Sequence, residues 1–407
     1  MILSTDTVSD LAIHTLLNLI RKNGPLTQAK LCELSGYSRS TVSINSEKLL
    51  SNGLVVMDPP RMQQERKIGA LSINGNLGYV AGIGLGGTIC RIALFDISAS
   101  IISFAQFPVN LERGPEPVVG DICTCLDKLC AENMENNKKL LGIGMGLPSP
   151  VDYEKGMAIH PAFMPGWHLF PVKQYLSERY NCFTVIDNEV NTMALGEYVE
   201  QKTDKKTLLC VKAGTGIGAG IIINGTIYRG ENGGGGNMGH IQIDGETSPC
   251  SCGKAGCIEA LASVPALTAK AERLAAANKE SLLYPILREN NHISIQDIRA
   301  SADKGDSLSL DIIREAGTVL GTLIGKMVIF LDPGSLIIAG RLTAFGPNYL
   351  DYIRRAVIKQ AAPWITSGFH IEFSRLGDES AATGAALLCL EEFFEQRLIL
   401  HFVSSSK

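Results

Sequence analysis

Apolar residues recur at helical spacing through residues 11–20 (Leu11, Leu16, Leu17, Leu19, Ile20), and Asn23-Gly24 follows as a helix stop. The next stretch, "LTQAKLCELSGYSRSTVSINSEKLLSNGLVV", predicts helix, tight turn, helix. Thr27 is placed to cap the first helix, Gly36 to make the turn and Ser38 to cap the second. Leu31, Leu34, Val42 and Leu49 are spaced to bury between these helices. After Gly53, "LVVMDPPRMQQERKIGALSIN" predicts two short apolar strands around a polar, basic tip. Residues 1–74 thus read as a winged helix-turn-helix. Farther on, continuous apolar runs such as "LLGIGMGL", "TVIDN" and "LLCVKA" predict buried strands, the pattern of an α/β body. Near the end, Leu390, Phe393, Phe394 and Leu398 mark a helix expected to pack on that body, with an oligomer contact as the alternative.

A chain of 407 residues exceeds one compact core, so two or three domains are expected. The formal net charge of −4 makes the whole molecule no polyanion binder, and any basic footprint must be local. Residues 1–24 carry scattered polar residues rather than an uninterrupted apolar core, which argues against a signal peptide. No run of about 18 apolar residues calls for membrane insertion. Eleven cysteines without a secretion signal point to a reducing compartment, and the cytoplasm is the expected location.

Local charge does appear in the first domain. Residues 21–67 hold eight Lys/Arg against four acids, a surplus of four positive charges on a net-negative chain. The second helix of such a unit enters the major groove of double-stranded DNA with its early residues at base edges. Ser38, Arg39, Ser40, Thr41, Ser43 and Asn45 are the expected readers, with Arg39 able to bridge a guanine. Lys48, and Arg66 and Lys67 on the wing, are the expected phosphate contacts. The competing reading is a three-helix protein-interaction module with a solvated charged face; the wing and the charge asymmetry count against it.

A second kind of chemistry lies in "GHIQIDGETSPCSCGKAGCIEALASV", residues 239–264. His240, Cys250, Cys252 and Cys257 give a histidine followed by C-x-C-x4-C, with Gly253 and Gly256 allowing a tight knuckle. Three thiolates and one imidazole make a closed tetrahedral set, the mark of structural zinc with no position left for an activated water. Three buried thiols and a core histidine are the bland alternative, disfavoured by three cysteines within eight residues beside two glycines. The cysteines of "CTCLDKLC" at 123–130 lack glycine and read as helix packing.

These features resemble the ROK family (repressors, open reading frames and sugar kinases), in particular its regulators of the Mlc/NagC type. The resemblance rests on the N-terminal winged helix and on "GIGLGGT" at 82–88, "GIGMGLPSPVD" at 142–152 and "DNEVNTMALGE" at 187–197. It continues through "GTGIGAGIIINGTIYRGENG" at 214–233, the zinc signature, "DPGSLIIAGRL" and "AATGAALL". It implies an α/β two-lobed ATPase-like body behind the winged helix. One lobe would span 75–190 plus the C-terminal helix 385–407, and the other, carrying the zinc knuckle, 191–384.

Sugar kinases of this family need charges that this chain has changed. The carboxylate of the first phosphate loop is here Gly84, and the E-N-D-x-N pattern reads Asp187-Asn188-Glu189-Val190-Asn191, so the base position holds Glu189. Displacing a catalytic group by about 1 Å costs roughly a hundredfold in rate. The sugar-binding G-E-x-G-H appears as Gly236-Asn237-Met238-Gly239-His240, and a family asparagine is replaced by Ala162, while Glu259 is kept. The resemblance therefore implies a DNA-binding regulator, a repressor, of carbohydrate uptake or metabolism genes with a non-catalytic body. Asn188, Glu189, Asn237, His240 and Glu259 would hold a sugar or sugar-phosphate effector; ATP is not expected. It further implies an operator read by a homodimer or homotetramer, and control by a sugar-transport protein of the phosphotransferase system as a second route. The alternative function is an active sugar kinase with an accessory DNA-binding domain.

Overall fold

The computed structural model describes residues 5–58, 61–63, 66–133, 139–202 and 204–396, with side chains described at 11–58, 69–133, 139–202 and 204–396. The first domain has α1 (Thr5–Asn23), α2 (Gln28–Ser35) and α3 (Arg39–Ser51), then strands β1 (Val55–Met57), β2 (Arg61–Gln63), β3 (Arg66–Ile68) and β4 (Leu71–Ile73). Local chemistry sets the helix boundaries. The Thr27 side chain accepts from Lys30 N–H, Gly36 ends α2 in the left-handed conformation, and Ser38 accepts from Thr41 N–H. Strands β1 and β4 pair antiparallel, as do β2 and β3, and together they form the wing. Leu16, Leu17, Leu31, Val42 and Leu49 are buried between the helices. Leu34 is not: it is 41% exposed, and α2 packs inward through Leu31 with Cys32 partly buried beside it.

Two sheets of five strands each make up the body. In chain order its elements begin with β5 (Tyr79–Leu85), β6 (Ile89–Asp96), β7 (Ile101–Pro108), α4 (Pro115–Asn133) and β8 (Leu140–Leu147). A small hairpin, β9 (Val151–Asp152) and β10 (Met157–Ala158), precedes α5 (Val172–Tyr180), β11 (Phe183–Asn188) and α6 (Glu189–Gln201). The second half contains β12 (Thr207–Ala213), β13 (Ile217–Ile223), β14 (Thr226–Ile227), α7 (Glu259–Ala262), α8 (Val264–Ala277), α9 (Leu283–Asn290) and α10 (Ile295–Asp303). It ends with α11 (Ser307–Leu331), β15 (Ser335–Ala339), α12 (Pro347–Gln360), α13 (Pro363–Thr366), β16 (His370–Phe373) and α14 (Ser380–Glu395).

The two sheets share one topology. The first runs β11-β8-β5-β6-β7 and the second β14-β13-β12-β15-β16. In each, a meander of antiparallel strands is extended by two parallel strands on the far side of the first strand. Parallel strands covered on both faces are apolar along their length, which is why β5 and β8 read as unbroken apolar or glycine runs and β15 is apolar after Ser335.

Helix α14 lies directly on β5 and β8, and the glycines of those strands permit the approach. A Cβ added at Gly84 would stand 2.9 Å from Ala381 Cβ and 3.0 Å from Ala382 N. Glycine at position 84 therefore does more than remove a carboxylate: an aspartate there would push against the first turn of α14. The other end of α14 meets the DNA-binding domain. Leu390, Phe393 and Phe394 share one apolar core with Leu16, Leu17 and Ile20 of α1. The expected C-terminal packing is thus observed, against α1 as well as the body; Leu398 lies outside the described residues. Polar contacts fix the junction: His14 Nε2 is 2.9 Å from the Phe394 carbonyl, the Arg21 guanidinium stands 5.3 Å over the Phe394 ring, and Lys22 Nζ lies 3.7 Å from Glu391 and 3.8 Å from Glu395.

Among the described residues no helix is long and apolar enough to cross a membrane. The cysteines of α4 are packed as expected: Cys123 is buried, and burial pushes the Cys130 thiol up to about 11.

Candidate functional site

Helix α3 turns Arg39, Ser40, Ser43, Glu47 and Lys48 outward and Val42, Asn45, Ser46 and Leu49 inward. Asn45, expected as a base reader, is 5% exposed and donates its side-chain amide to the Thr41 carbonyl at 2.8 Å. Its position on the helix places it on the packed face, so it supports α3 from within. Ser38, Ser40 and Thr41 lie at the first turn. Their hydroxyls hydrogen-bond one another at 2.8–2.9 Å while Ser38 caps the helix. The backbone of Arg66 and Lys67 forms β3, and their side chains lie outside those described.

In the body, Asn188, Glu189, Asn237, His240 and Glu259 all line one cavity of about 520 Å³ between the two sheets. Asn188 ends β11 and caps α6, its Oδ1 accepting from Val190 N–H at 2.7 Å and its Nδ2 donating to the Ser149 carbonyl at 2.7 Å. Both ends of that amide are engaged by the scaffold, so Asn188 shapes the wall and orients its neighbour. The Glu259 carboxylate accepts from Ile217 N–H at 2.9 Å, which fixes it at the cavity edge. Asn237 is exposed to the cavity. Ala162 also lines it, as does His160, whose ring stacks on His168 at 4.1 Å.

The position expected to hold a general base is ion-paired. Glu189 and Lys212 form a hydrogen-bonded salt bridge, with side chains only 9% and 16% exposed. Each of the two also lines a second cavity of about 830 Å³, bounded by the Gly86–Thr88 turn, Thr215, Arg341 and the Arg91–Asp378 pair (2.7 Å). The Lys212–Glu189 bridge is thus part of the wall between the two spaces. The Glu189 carboxylate is therefore engaged by the ammonium rather than free toward either cavity.

Asp187, the other acid of the pattern, is tied up more completely. Arg229 Nε donates to it at 2.8 Å and Asn191 Nδ2 at 2.8 Å. Arg229 in turn lies 3.7 Å over the Tyr153 ring, and the Tyr153 hydroxyl donates to Glu392 of α14 at 2.6 Å. Burial, with Glu392 beside it, pushes the Tyr153 phenol well above its ordinary value, so it remains a donor. This chain of contacts links the cavity wall to α14 one residue from Glu391, which faces Lys22 of the DNA-binding domain.

His240, Cys250, Cys252 and Cys257 converge, their ligand atoms all within 4.8 Å of one another. Cys250 Sγ is 3.6 Å from His240 Nδ1 and Cys252 Sγ is 3.7 Å from Cys257 Sγ. Sulfurs at about 2.3 Å from a tetrahedral zinc stand about 3.8 Å apart, so the donor set fits that ion. The knuckle depends on Gly256, where φ is +74° and a Cβ would come within 2.4 Å of the Glu246 carbonyl.

With these sites placed, comparison with known proteins assigns the family. Residues 80–392 match the ROK family and residues 12–56 a winged helix-turn-helix DNA-binding unit. This chain belongs to the ROK family. The xylose repressor of Bacillus subtilis is 27% identical over 382 residues, covering 93% of this chain and 95% of that protein. A glucokinase of Halalkalibacterium halodurans is 29% identical over 316 residues, covering 77% of this chain and 96% of the enzyme. The kinase thus covers a smaller share of this chain than the repressor does. The crystal structure of a ROK family transcriptional regulator, a homologue of the Escherichia coli Mlc protein, superposes with a TM-score of 0.81 at 22% identity, covering 98% of this chain and 99% of that one. The fold is therefore that of a ROK body with an N-terminal winged helix-turn-helix.

Sequence reasoning missed Lys212, Arg229 and Tyr153. Lys212 had a local signal, a lone cation in the apolar run "TLLCVKA" just before a glycine turn. Arg229 and Tyr153 had none, since their partners lie 42 and 239 positions away in the chain.

Proposed function

We propose that this protein is a DNA-binding transcriptional repressor of carbohydrate uptake or metabolism genes, whose kinase-like body senses a sugar-class effector and does not phosphorylate it. The observation that carries this reading is the path from the cavity to the DNA-binding domain. Helix α14 begins at the second cavity, with Ser380 and Ala381 in its wall, and ends against α1 through Phe394 and Glu391. A ligand shifts DNA affinity only by binding two conformations unequally, and a helix seated on both partners offers the element that differs between them. The ion-paired Glu189 and the glycine at 84 support a non-catalytic body, because phosphoryl transfer depends on exact positioning and charge.

The effector site comprises Glu189, Asn237, His240 and Glu259, with Asn188 as a positioning residue. Similarity to the xylose repressor supports a sugar as ligand; a sugar phosphate, or a phosphotransferase-system protein acting on the same body, is the alternative route. Structural zinc bound by His240, Cys250, Cys252 and Cys257 holds one cavity wall. A helix-turn-helix reads paired half-sites, so the active form is a homodimer or homotetramer.

The test is a genomic DNA selection with purified, zinc-loaded protein, repeated with hexoses, pentoses, amino sugars and their phosphates. Enrichment of a short palindrome that one sugar abolishes supports the reading. Enrichment indifferent to every sugar moves the signal to a protein partner. No enrichment at moderate salt, together with ATP-dependent sugar phosphorylation, would replace the repressor by the kinase.

A further inference from the structure

On the outward face of α3 the side chain at position 44 is apolar: Ile44 is 56% exposed. Exposure of one isoleucine by itself assigns nothing. Its setting does. The first-turn hydroxyls of Ser38, Ser40 and Thr41 are engaged with one another, and Asn45 faces inward. Of the outward positions, Arg39, Ser43 and Glu47 lie one turn apart on one row of the helix, and Ile44, its sixth residue, lies on the adjacent row between Ser40 and Lys48. Nothing local selects isoleucine there. A β-branched residue is a weaker helix former than leucine or alanine, and this one fills no core.

The chemistry that matches a lone apolar side chain among polar ones in the major groove is the C5-methyl of thymine, the one apolar group the groove presents. Arg39 can bridge a guanine and Glu47 can accept from a cytosine amino group, and Ile44 supplies the kind of contact that neither can make. We propose that Ile44 is a specificity-determining residue that reads a thymine methyl within each operator half-site. This inference rests on the reading of α3 as the DNA-recognition helix.

The test uses the full-length, zinc-loaded protein. An operator is first recovered by selection from random duplex DNA. Each thymine of a half-site is then replaced singly by deoxyuridine, which removes the methyl and keeps the base pair. Affinities are measured for the wild type, Ile44→Val and Ile44→Ala; the exposed position lets all three fold, which circular dichroism checks. The expected result is one thymine per half-site whose replacement weakens wild-type binding about fourfold, the value of one methyl-sized apolar contact. Ile44→Val keeps most of that sensitivity. Ile44→Ala loses it at that thymine alone. A flat scan on a bound operator, or a penalty that Ile44→Ala retains in full, overturns the assignment and leaves DNA binding standing. Failure to recover any bound sequence overturns both, so the two failures are distinguishable.

Discussion

Replacing Lys212 by methionine keeps the length of the side chain and removes its charge, leaving the Glu189 carboxylate without its partner in a nearly dry wall. With the two side chains 16% and 9% exposed, the bridge belongs with buried pairs rather than surface ones. Breaking such a pair from one side costs about 3–5 kcal/mol. Both residues also border cavities that admit water, which rehydrates the orphaned carboxylate and brings the expected loss below that range, to about 2–3 kcal/mol. Methionine at both positions restores most of the loss, because two apolar groups of similar volume need no desolvation. Scanning calorimetry at fixed zinc and salt reads the effect as a fall of about 4–6 °C for Lys212→Met, at about 2 °C per kcal/mol for a body this large. The double variant returns to within about 2 °C of the wild type. Losses that simply add, with no coupling between the two substitutions, would refute the argument, since groups that meet in one site do not act independently.

Three further outcomes are expected. Tyr153→Phe deletes only the hydroxyl that donates to Glu392; a hydrogen bond to a charged group contributes about 1.5–3 kcal/mol, so the effect of effector on operator affinity should shrink at least tenfold while effector binding itself persists. Calorimetric titration of effector beside anisotropy on the operator separates the two readings, and unchanged coupling removes the path through α14. Chelation, or Cys252→Ser, should release one metal per chain by elemental analysis and raise amide exchange through residues 238–262, with weaker effector binding as the cavity wall loosens; retained protection after metal loss would mean that the knuckle holds without an ion. Asp306 caps α11. Burial acts to raise its carboxyl, but hydrogen bonds from Ser309, Leu282 and Ser281 outweigh that and hold it below its ordinary value. A depressed folded-state value stabilises the protein above the unfolded value of about 3.9 and ceases to do so as pH falls through the folded one. Asp306→Ala should therefore cost about 1–2 kcal/mol at neutral pH and progressively less as pH falls below about 3.9, measured by urea midpoints.

Much of this protein is legible from local patterning. The helix-turn-helix announces itself through Thr27, Gly36 and Ser38, because capping and left-handed turns are satisfied within four residues. The His/Cys cluster is legible for the same reason: its three cysteines lie within eight positions and the loop closes on itself. Glu189, Asn237, His240 and Glu259 could be gathered by resemblance to a known site, and they do face one cavity.

What lies beyond local patterning needed the fold. That Asn45 faces inward and Ile44 outward was open to helical periodicity, yet choosing the outward stripe required the position of α1 and the wing. Gly84 reads in sequence as a lost charge; only the seat of α14 on β5 shows that a side chain there would collide with Ala381. The repetition of one sheet topology is visible only in the fold, since topology constrains hydrogen-bonding order rather than residue identity. The sequence by itself determined the elements, the caps, the second helix of the helix-turn-helix and most of the His/Cys cluster, because those depend on neighbours along the chain. Tertiary structure alone decided that Lys212 occupies Glu189 and that Asp187 reaches α14 through Arg229 and Tyr153. Charge pairing and packing act over a few ångströms of space, and the sequence separation of the partners carries no record of that distance.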